Sequence, residues 1–293
     1  MIETIDEVLT EIIRVTPDRT GARGELIFPP VFQGFPNATH GGGMVAAFDR
    51  VAKQCAREQE GPRRLATKIL RAVPLETQLS LIAAHHDREV NVTLSRGIEP
   101  VARATARNGG GVADGGDFSQ WAQRNGPHWV APITRGCLAC GRENPIGCQL
   151  RLSFDDRWLW CEHQPRPPYR SADGALDPAL FPIVLDEIGW WLGAIRTGEC
   201  GVTVEVETAV NCDEVAFDEP LVFLGEHADA PATDSKGHFW TTTGGIFTRS
   251  GGLLASTTVI YAASRIYSKR LIPALLTLNP PESVRRVFPE YVP

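Results

Sequence analysis

The sequence predicts an α+β protein made of two copies of one unit, each with a long helix packed on an antiparallel sheet. Three observations support this prediction. The chain has 293 residues, which suits two domains of ordinary size. The same order of elements, one helix followed by several strands, occurs twice. A glycine-rich segment, residues 108–116, lies between the two occurrences and is typical of a surface connection.

In the first unit, an extended stretch at 24–33 precedes a glycine-rich turn and a helix. Apolar residues recur at helical spacing from Met44 to Cys55, so we expect this helix to continue to about residue 58. Strand-like runs then follow at 65–73, 78–84, 90–95 and 101–107.

The second unit repeats this order. A helix over 180–195 carries Ile188, Leu192 and Ile195 on one face. The predicted strands are 150–154, 158–163, 202–210, 221–226, 238–248 and 253–262. We therefore expect a first unit at 1–110, a linker at 111–136, a second unit at 137–265 and a tail at 266–293. The tail has one short helical stretch and no assigned chemistry.

Composition excludes several classes of protein. The formal net charge of −6 gives no basic footprint for nucleic acid. The first 15 residues lack the apolar core of a signal peptide, and no apolar run is long enough to span a membrane. Seven cysteines are an odd number in a chain this large, so we expect reduced thiols and a cytoplasmic location.

Three segments carry a family resemblance. They are the run Phe32–Gly42, which reads FQGFPNATHGG and has Asp49 nine residues after His40, the run CLACGRENPIG at 137–147, and LDEIGW at 185–190. Together they resemble hotdog-fold acyl-CoA thioesterases of the phenylacetate-degradation type, and the likeness covers most of residues 24–264. It implies a tandem, or double, hotdog: two antiparallel sheets, each wrapped around a central helix. The chain would then be a monomer that imitates the dimer of single-domain relatives, or a homodimer of such chains.

The resemblance also implies how the site is divided. In this family, backbone N–H groups at the start of one central helix hold the thioester carbonyl, and a carboxylate from the other helix activates water. Gly41 and Gly42 match the first role. Gln33 matches a side-chain donor near the thioester, by the family pattern alone.

Helix geometry explains this division independently. Eight residues separate Gly41 from Asp49, a rise of roughly 12 Å, so the two cannot serve one carbonyl carbon. Glycines at a helix start offer unblocked N–H groups and the positive end of the helix dipole, as a developing oxyanion requires. The alternative is a tight turn that needs glycine only for packing.

The second helix start differs from the first. Counting nine residues back from Asp186 gives Asp177, followed by Pro178, and Pro182 is close behind. Proline lacks an N–H, so this end is a poor anion site. We therefore expect one active site, which combines His40, Gly41 and Gly42 with Asp186 as general base or nucleophile, while Asp49 has no donor partner.

The sequence leaves the roles of several residues open. Glu187 is the less favoured acid because its neighbouring position turns it to another helix face, and Asp186 itself has the alternative of an exposed helix carboxylate. His40 either orients the acyl group or is satisfied by backbone at the helix start. Trp190 and Trp191 either line the acyl pocket or belong to the core. The hydroxyl that some relatives carry one turn after the acid is absent.

The remaining predictions concern ligands. We expect Gln33, Asn37, Gly43 and Trp190 to contact the substrate, and no cofactor or metal to be needed. Cys137 and Cys140 lack a second CxxC pair, so a structural turn is favoured over a zinc site.

The expected activity is hydrolysis of an acyl thioester carried by coenzyme A or an acyl carrier protein. One alternative is dehydration or hydration of a thioester by His40 and Asp186, although the residue patterns of dehydratases and hydratases are absent. A second alternative is a non-catalytic acyl-binding protein. The sequence has no Gly-x-Ser-x-Gly elbow, P-loop or dinucleotide fingerprint, which argues against α/β-hydrolases and nucleotide or NAD enzymes.

Overall fold

A computed structural model describes residues 3–17, 20–55, 62–109, 115–211, 214–228 and 230–293. The N-terminal half contains α1 (Ile5–Ile12), β1 (Ile13–Pro17), β2 (Gly21–Leu26), α2 (Gly41–Cys55), β3 (Arg63–Ile69), β4 (Leu79–His86), β5 (Glu89–Arg96) and β6 (Glu99–Asn108). The C-terminal half contains α3 (Phe118–Ala122), β7 (Trp129–Val130), β8 (Ser153–Phe154), β9 (Trp158–His163), α4 (Leu180–Thr197), β10 (Gly201–Val210), β11 (Leu221–Glu226), β12 (Phe239–Thr248) and β13 (Leu253–Ala263). The tail forms α5 (Arg265–Leu276) and α6 (Pro281–Val287).

The strands form one continuous antiparallel sheet. Its order is β1-β2-β4-β5-β6-β3-β10-β13-β12-β11-β9-β8-β7. The order β2-β4-β5-β6-β3 of the first half matches β9-β11-β12-β13-β10 of the second, with one long helix at the same place in each. The two half-sheets join at the antiparallel pair of β3 and β10, where Thr67 lies opposite Val206. This seam pairs an edge strand of each half, so neither is left open.

The two long helices pack against each other and against the sheet. Helix α2 contacts strands of the first half, and α4 contacts strands of the second. Residues 180–194 of α4 are all buried, and the charged residues in this span are Asp186 and Glu187 alone. Gly193 lets it approach the sheet closely, because a Cβ there would lie 2.4 Å from the ring of Tyr261. The start of α2 lies against residues 182–186 of α4.

Several element boundaries differ from the expectation by one or two residues, and three differ by more. The strand predicted at 150–154 is reduced to Ser153–Phe154. The extended stretch predicted for 24–33 ends as a strand at Leu26 and continues as an irregular segment with a 3-10 turn at Pro30–Phe32. Pro29 and Pro30 have no N–H to donate, so they cannot continue the sheet ladder. Strand β3 ends at Ile69, four residues earlier than predicted. The expected helix end near residue 58, part of the glycine-rich connection and Cys212 lie outside the described residues.

The tail holds two helices where one short helical stretch was expected. Pro281 begins α6 directly after Pro280, and Pro273 lies inside α5. Asn279, between the helices, accepts a hydrogen bond from the Ile133 N–H at 2.8 Å and donates to the Ile133 carbonyl at 2.9 Å. These contacts fix the tail to the segment that leads into the second half. Within the ranges given above, none of the helices has the length and apolar character needed to cross a bilayer.

Candidate active site

Helix α2 begins with one unused backbone donor. The first four N–H groups of a helix lack partners within it. The His40 N–H donates to the Phe32 carbonyl, the Gly42 N–H to the Asp186 carboxylate, and the Gly43 N–H to His40 Nδ1. The Gly41 N–H has no partner in the described part of the chain, and Gly41 lines a cavity. This start is therefore open to an acceptor from a ligand.

Asp186, on α4, reaches that helix start. Its Oδ2 accepts the hydrogen bond from the Gly42 N–H at 2.8 Å, and the residue is 5% exposed. Its Oδ1 is buried and has no hydrogen-bond partner among the described residues. A Cβ at Gly41 would lie 2.7 Å from Oδ2 and 2.9 Å from Oδ1, so only glycine leaves room beside both oxygens. The structure thus brings together Gly41, Gly42 and Asp186, 144 residues apart in sequence.

His40 lies between two carboxylates of α4. Its Nδ1 is 3.4 Å from Asp186 Oδ2, and its Nε2 is 3.3 Å from Glu187 Oε2. Burial opposes protonation of the ring, but the hydrogen bond to Glu187 and the charges of both acids raise the pKa of His40. For Glu187, burial is outweighed by hydrogen bonds from His40 and other donors, which lower the pKa of that carboxyl. These shifts favour a charged pair, whereas in the neutral form of the ring Nδ1 accepts from the Gly43 N–H.

The pKa of Asp186 is shifted in the opposite direction from that of Glu187. Burial raises the pKa of the Asp186 carboxyl, and the nearby His40 charge, the Gly42 amide and the Thr203 side chain only partly offset that effect. Two adjacent carboxyls therefore have shifts of opposite sign, an arrangement typical of sites that transfer protons.

Glu187 does not turn away from the site, contrary to the expectation. Its Oε1 accepts a hydrogen bond from Trp191 Nε1 at 2.9 Å, and its Oε2 lies 3.7 Å from Cys137 Sγ. Successive residues of a helix differ by about 100° in direction, so two long acidic side chains can still reach opposite nitrogens of one imidazole. Neither acid is an exposed helix carboxylate, since both are buried.

A cavity of about 460 Å³ adjoins these groups, a volume within the usual range for small-molecule sites. His40, Gly41, Asp186 and Glu187 form part of its wall. The rest is largely apolar and comes from the segments 34–39 and 69–73, from α4, from β10 and from α5. The tail, to which the sequence assigned no chemistry, thus supplies one side of the cavity through Tyr267, Arg270, Leu271 and Leu275.

The four predicted substrate contacts divide into two pairs. Asn37 and Trp190 line the cavity. Asn37 adopts a left-handed backbone conformation, with φ 64°, at the exposed rim, and the Trp190 indole N–H donates to the Gly201 carbonyl at 2.9 Å. Gln33 and Gly43 do not line it: the Gln33 side chain lies against Gly136, and a Cβ on Gly43 would contact Leu138.

The corresponding end of α4 has no open donor. The Ala179 N–H donates to Asp177 Oδ1 at 2.8 Å, and the next two N–H groups bond to the carbonyls of Asp177 and Pro178. Pro182 has no N–H. Facing this end, Asp49 is held by Arg63, with N···O distances of 2.7 and 2.8 Å, and Lys53 lies 3.6 Å away. The carboxylate there is neutralised, and only the α2 end combines an open amide with a buried acid.

Comparison with known proteins identifies the fold of this chain. No family model and no curated protein matches the chain. Solved structures do match. A protein with a hotdog fold from Alicyclobacillus acidocaldarius is 15% identical, with a TM-score of 0.58 over 88% of this chain and 98% of its own. The acyl-CoA thioesterase II TesB2 from Mycobacterium marinum is 15% identical, with a TM-score of 0.52 over 88% and 97% of the two chains.

A third similar structure is a dehydratase. The dehydratase domain of PpsC from Mycobacterium tuberculosis, in complex with C12:1-CoA, is 15% identical, with a TM-score of 0.58 over 86% of this chain and 98% of its own. These likenesses, with two helix-and-sheet units in one chain, confirm the double-hotdog α+β fold. At such identities they establish the fold alone.

Proposed function

We propose that this protein hydrolyses an acyl thioester in the cavity beside the start of α2. One observation carries the proposal. Asp186 from the second half is hydrogen-bonded to the Gly42 amide of the first half, and among the described residues the Gly41 N–H and Asp186 Oδ1 have no partner at ordinary hydrogen-bond distance beside the same cavity. An unused donor and an unused acceptor at adjacent positions are what hydrolysis of a carbonyl compound requires.

In this reaction the Gly41 N–H donates to the thioester carbonyl oxygen, assisted by the positive end of the α2 dipole. Asp186 Oδ1 takes a proton from water, whose oxygen attacks the carbonyl carbon, or Oδ1 attacks that carbon itself to form a mixed anhydride, which water then hydrolyses to release the acid and restore the carboxylate. In both routes the C–S bond breaks and the leaving sulfur takes up a proton. The Gly42 amide holds the carboxylate in place throughout, which assigns Gly42 a positioning role where the sequence suggested a direct donor.

His40 and Glu187 support this arrangement from the far side of the carboxylate. His40 contacts Asp186 through one ring nitrogen and Glu187 through the other. The pair therefore fixes Asp186 without reaching the acyl carbon.

The substrate class follows from the cavity and its rim. The mostly apolar wall suits an acyl chain, and Arg270 of α5 is an exposed cation at the rim. Coenzyme A and the prosthetic arm of acyl carrier proteins both bear phosphate, which an arginine recognises well. We propose an acyl-CoA or carrier-bound substrate in the cytoplasm. The names of two similar structures, an acyl-CoA thioesterase and a dehydratase in complex with an acyl-CoA, support this substrate class.

The test is thiol release from a panel of acyl-CoA and acyl carrier protein thioesters. Asp186→Asn removes the base while retaining the shape, and we expect it to lower kcat by about 100-fold or more. Asp49→Asn is the matched control because Asp49 occupies the equivalent position of the other helix; we expect it to turn over like the wild type. No release from any thioester, or equal loss in both variants, would refute hydrolysis at this site.

A dehydration reaction is the second candidate. It is favoured by the 3.4 Å approach of His40 and Asp186 from opposite halves of the chain. It is disfavoured because both ring nitrogens of His40 already face protein groups. Loss of water from a 3-hydroxyacyl thioester would establish it. Stable binding of unchanged thioester, unaffected by Asp186→Asn, would instead show a non-catalytic acyl-binding protein.

A further inference from the structure

Four side chains with metal-binding atoms meet at one side of the cavity. His40, Cys137 and Glu187 offer ligand atoms that all lie within 4.8 Å of one another. Cys140, three residues on from Cys137 in the same turn, lies close enough to both Cys137 and Glu187 to interact with them, although its Sγ lies outside that 4.8 Å group. All four are buried, and all four line the cavity, so an ion has a route to them.

The measured distances match a tetrahedral site. Zinc binds sulfur at about 2.3 Å and nitrogen or oxygen at about 2.0 to 2.2 Å, so its tetrahedral ligands lie roughly 3.3 to 3.8 Å apart. His40 Nε2 is 3.3 Å from Glu187 Oε2, and Cys137 Sγ is 3.7 Å from the same oxygen. The ligand atoms of His40, Cys137 and Glu187 therefore need little movement to accept an ion, and the Cys140 Sγ has to turn toward them.

The turn that carries the cysteines directs a backbone donor at one of the sulfurs. The Ala139 N–H donates to Cys137 Sγ at 3.3 Å, and the Gly141 N–H donates to the Cys137 carbonyl at 2.9 Å. These two bonds fix the turn that carries both cysteines beside Glu187.

Each ligand also has an outer partner that orients it. His40 Nδ1 lies 3.4 Å from the Asp186 carboxylate, Trp191 Nε1 donates to Glu187 Oε1 at 2.9 Å, and Thr134 Oγ1 lies 3.7 Å from Cys140 Sγ. Metal-binding histidines commonly pair their second nitrogen with a carboxylate, and such outer contacts are part of a built site.

We propose that His40, Cys137, Cys140 and Glu187 bind a thiophilic divalent cation, Zn²⁺ by the chemistry of the donors. Two thiolates, an imidazole and a carboxylate are a zinc ligand set, and four protein ligands close the coordination sphere. Both thiols lose their protons to solvent on binding. The ion occupies the far side of His40 from Asp186, so it replaces the His40–Glu187 ion pair as the support of the site and does not take part in the chemistry at the acyl carbon.

The experiment uses cobalt as a spectroscopic probe in the full-length protein after treatment with a chelator. Co²⁺ bound tetrahedrally by thiolates gives a sulfur-to-metal charge-transfer band and strong visible absorption, and Zn²⁺ abolishes both on displacing it. We expect one equivalent of Co²⁺ per chain and loss of the bands on titration with Zn²⁺. Neither readout involves turnover, so failure here is separate from failure of the proposed hydrolysis.

Variants locate the ion. Cys137→Ser and Cys140→Ser each remove a ligand, and we expect zinc affinity to fall by more than about 100-fold, since loss of an outer partner alone costs about 10- to 100-fold. Cys161→Ser is the matched control: it is another buried thiol, and its Sγ donates to the Glu162 carbonyl instead. Should the cysteine variants fail to fold, Glu187→Gln removes the charge while keeping an acceptor for Trp191, and it lowers affinity in the same test.

Two results overturn the proposal. One is wild-type protein that shows no charge-transfer band with Co²⁺ and retains no zinc after dialysis. The other is a band that persists at full strength in both Cys137→Ser and Cys140→Ser, which would place the bound metal elsewhere on the chain.

Discussion

Replacing Gly41 by alanine separates the chemistry at the start of α2 from the packing of the two helices. The new methyl keeps the backbone N–H but lies 2.7 Å from Asp186 Oδ2 and 2.9 Å from Oδ1. To reach ordinary contact at 3.4 Å, the carboxylate must retreat by about 0.7 Å, which weakens its hydrogen bond to the Gly42 amide. The methyl also fills the space beside Oδ1.

We expect Gly41→Ala to lower kcat/KM by about 100-fold, the usual cost of a displacement approaching 1 Å in a reacting group. The free energy of unfolding should change by no more than about 1 kcal/mol, because alanine favours a helix over glycine and the neighbouring group is a side chain that can shift. Thiol release and thermal unfolding of the same preparation measure the two effects.

Gly42→Ala is the comparison. Its Cβ would lie 2.2 Å from the Pro182 carbonyl oxygen and 2.6 Å from Ile183 Cα, both of them backbone atoms of α4. Overpacking of this kind costs about 1 to 3 kcal/mol, so this variant should lose stability as well as activity. Gly41→Ala with wild-type turnover, or a loss of stability as large as that of Gly42→Ala, would refute our account of the space beside Gly41.

Three further predictions concern stability. His163 has a buried Nε2 without a hydrogen-bond partner among the described residues, and burial lowers its pKa to about 4. The unfolded chain takes up this proton first, so about 3 kcal/mol of stability should be lost as the pH falls from 6.5 to 4, and His163→Phe should flatten that slope in denaturant titrations. Asn279→Ala leaves the Ile133 backbone groups unpaired and should cost about 1 to 3 kcal/mol, with the tail exchanging amide hydrogens faster. Gly193→Ala places a methyl 2.4 Å from the Tyr261 ring and should lower the melting temperature without changing zinc affinity.

The repeated helix-and-strand unit and the contact between Gly41 and Asp186 could be predicted from the sequence, because both follow from rules about local structure. Helical spacing located α2 and α4, and the rise per residue showed that each helix start needs an acid from the other helix. The proline-rich start of α4 likewise predicted its closed donors, since a missing N–H is a local property.

The cluster around Glu187 was beyond this reasoning. A helical wheel places Glu187 and Asp186 in different directions around α4. It does not show how far each side chain extends, and both side chains contact His40. Cys137 approaches Glu187 across 50 residues through a loop whose path no periodicity describes. The contribution of the tail to the cavity could not be predicted for a similar reason. Helix α5 is short and weakly amphipathic, and only tertiary packing places it beside the cavity.

The seam between β3 and β10 has an evolutionary consequence. In a symmetric pair of identical chains, every substitution appears on both sides of the axis, so a proline or a bulky residue at one helix start would also damage its twin. A fused chain has no such restriction. The start of α4 can therefore be a closed, proline-bearing end in the same chain in which α2 carries glycines.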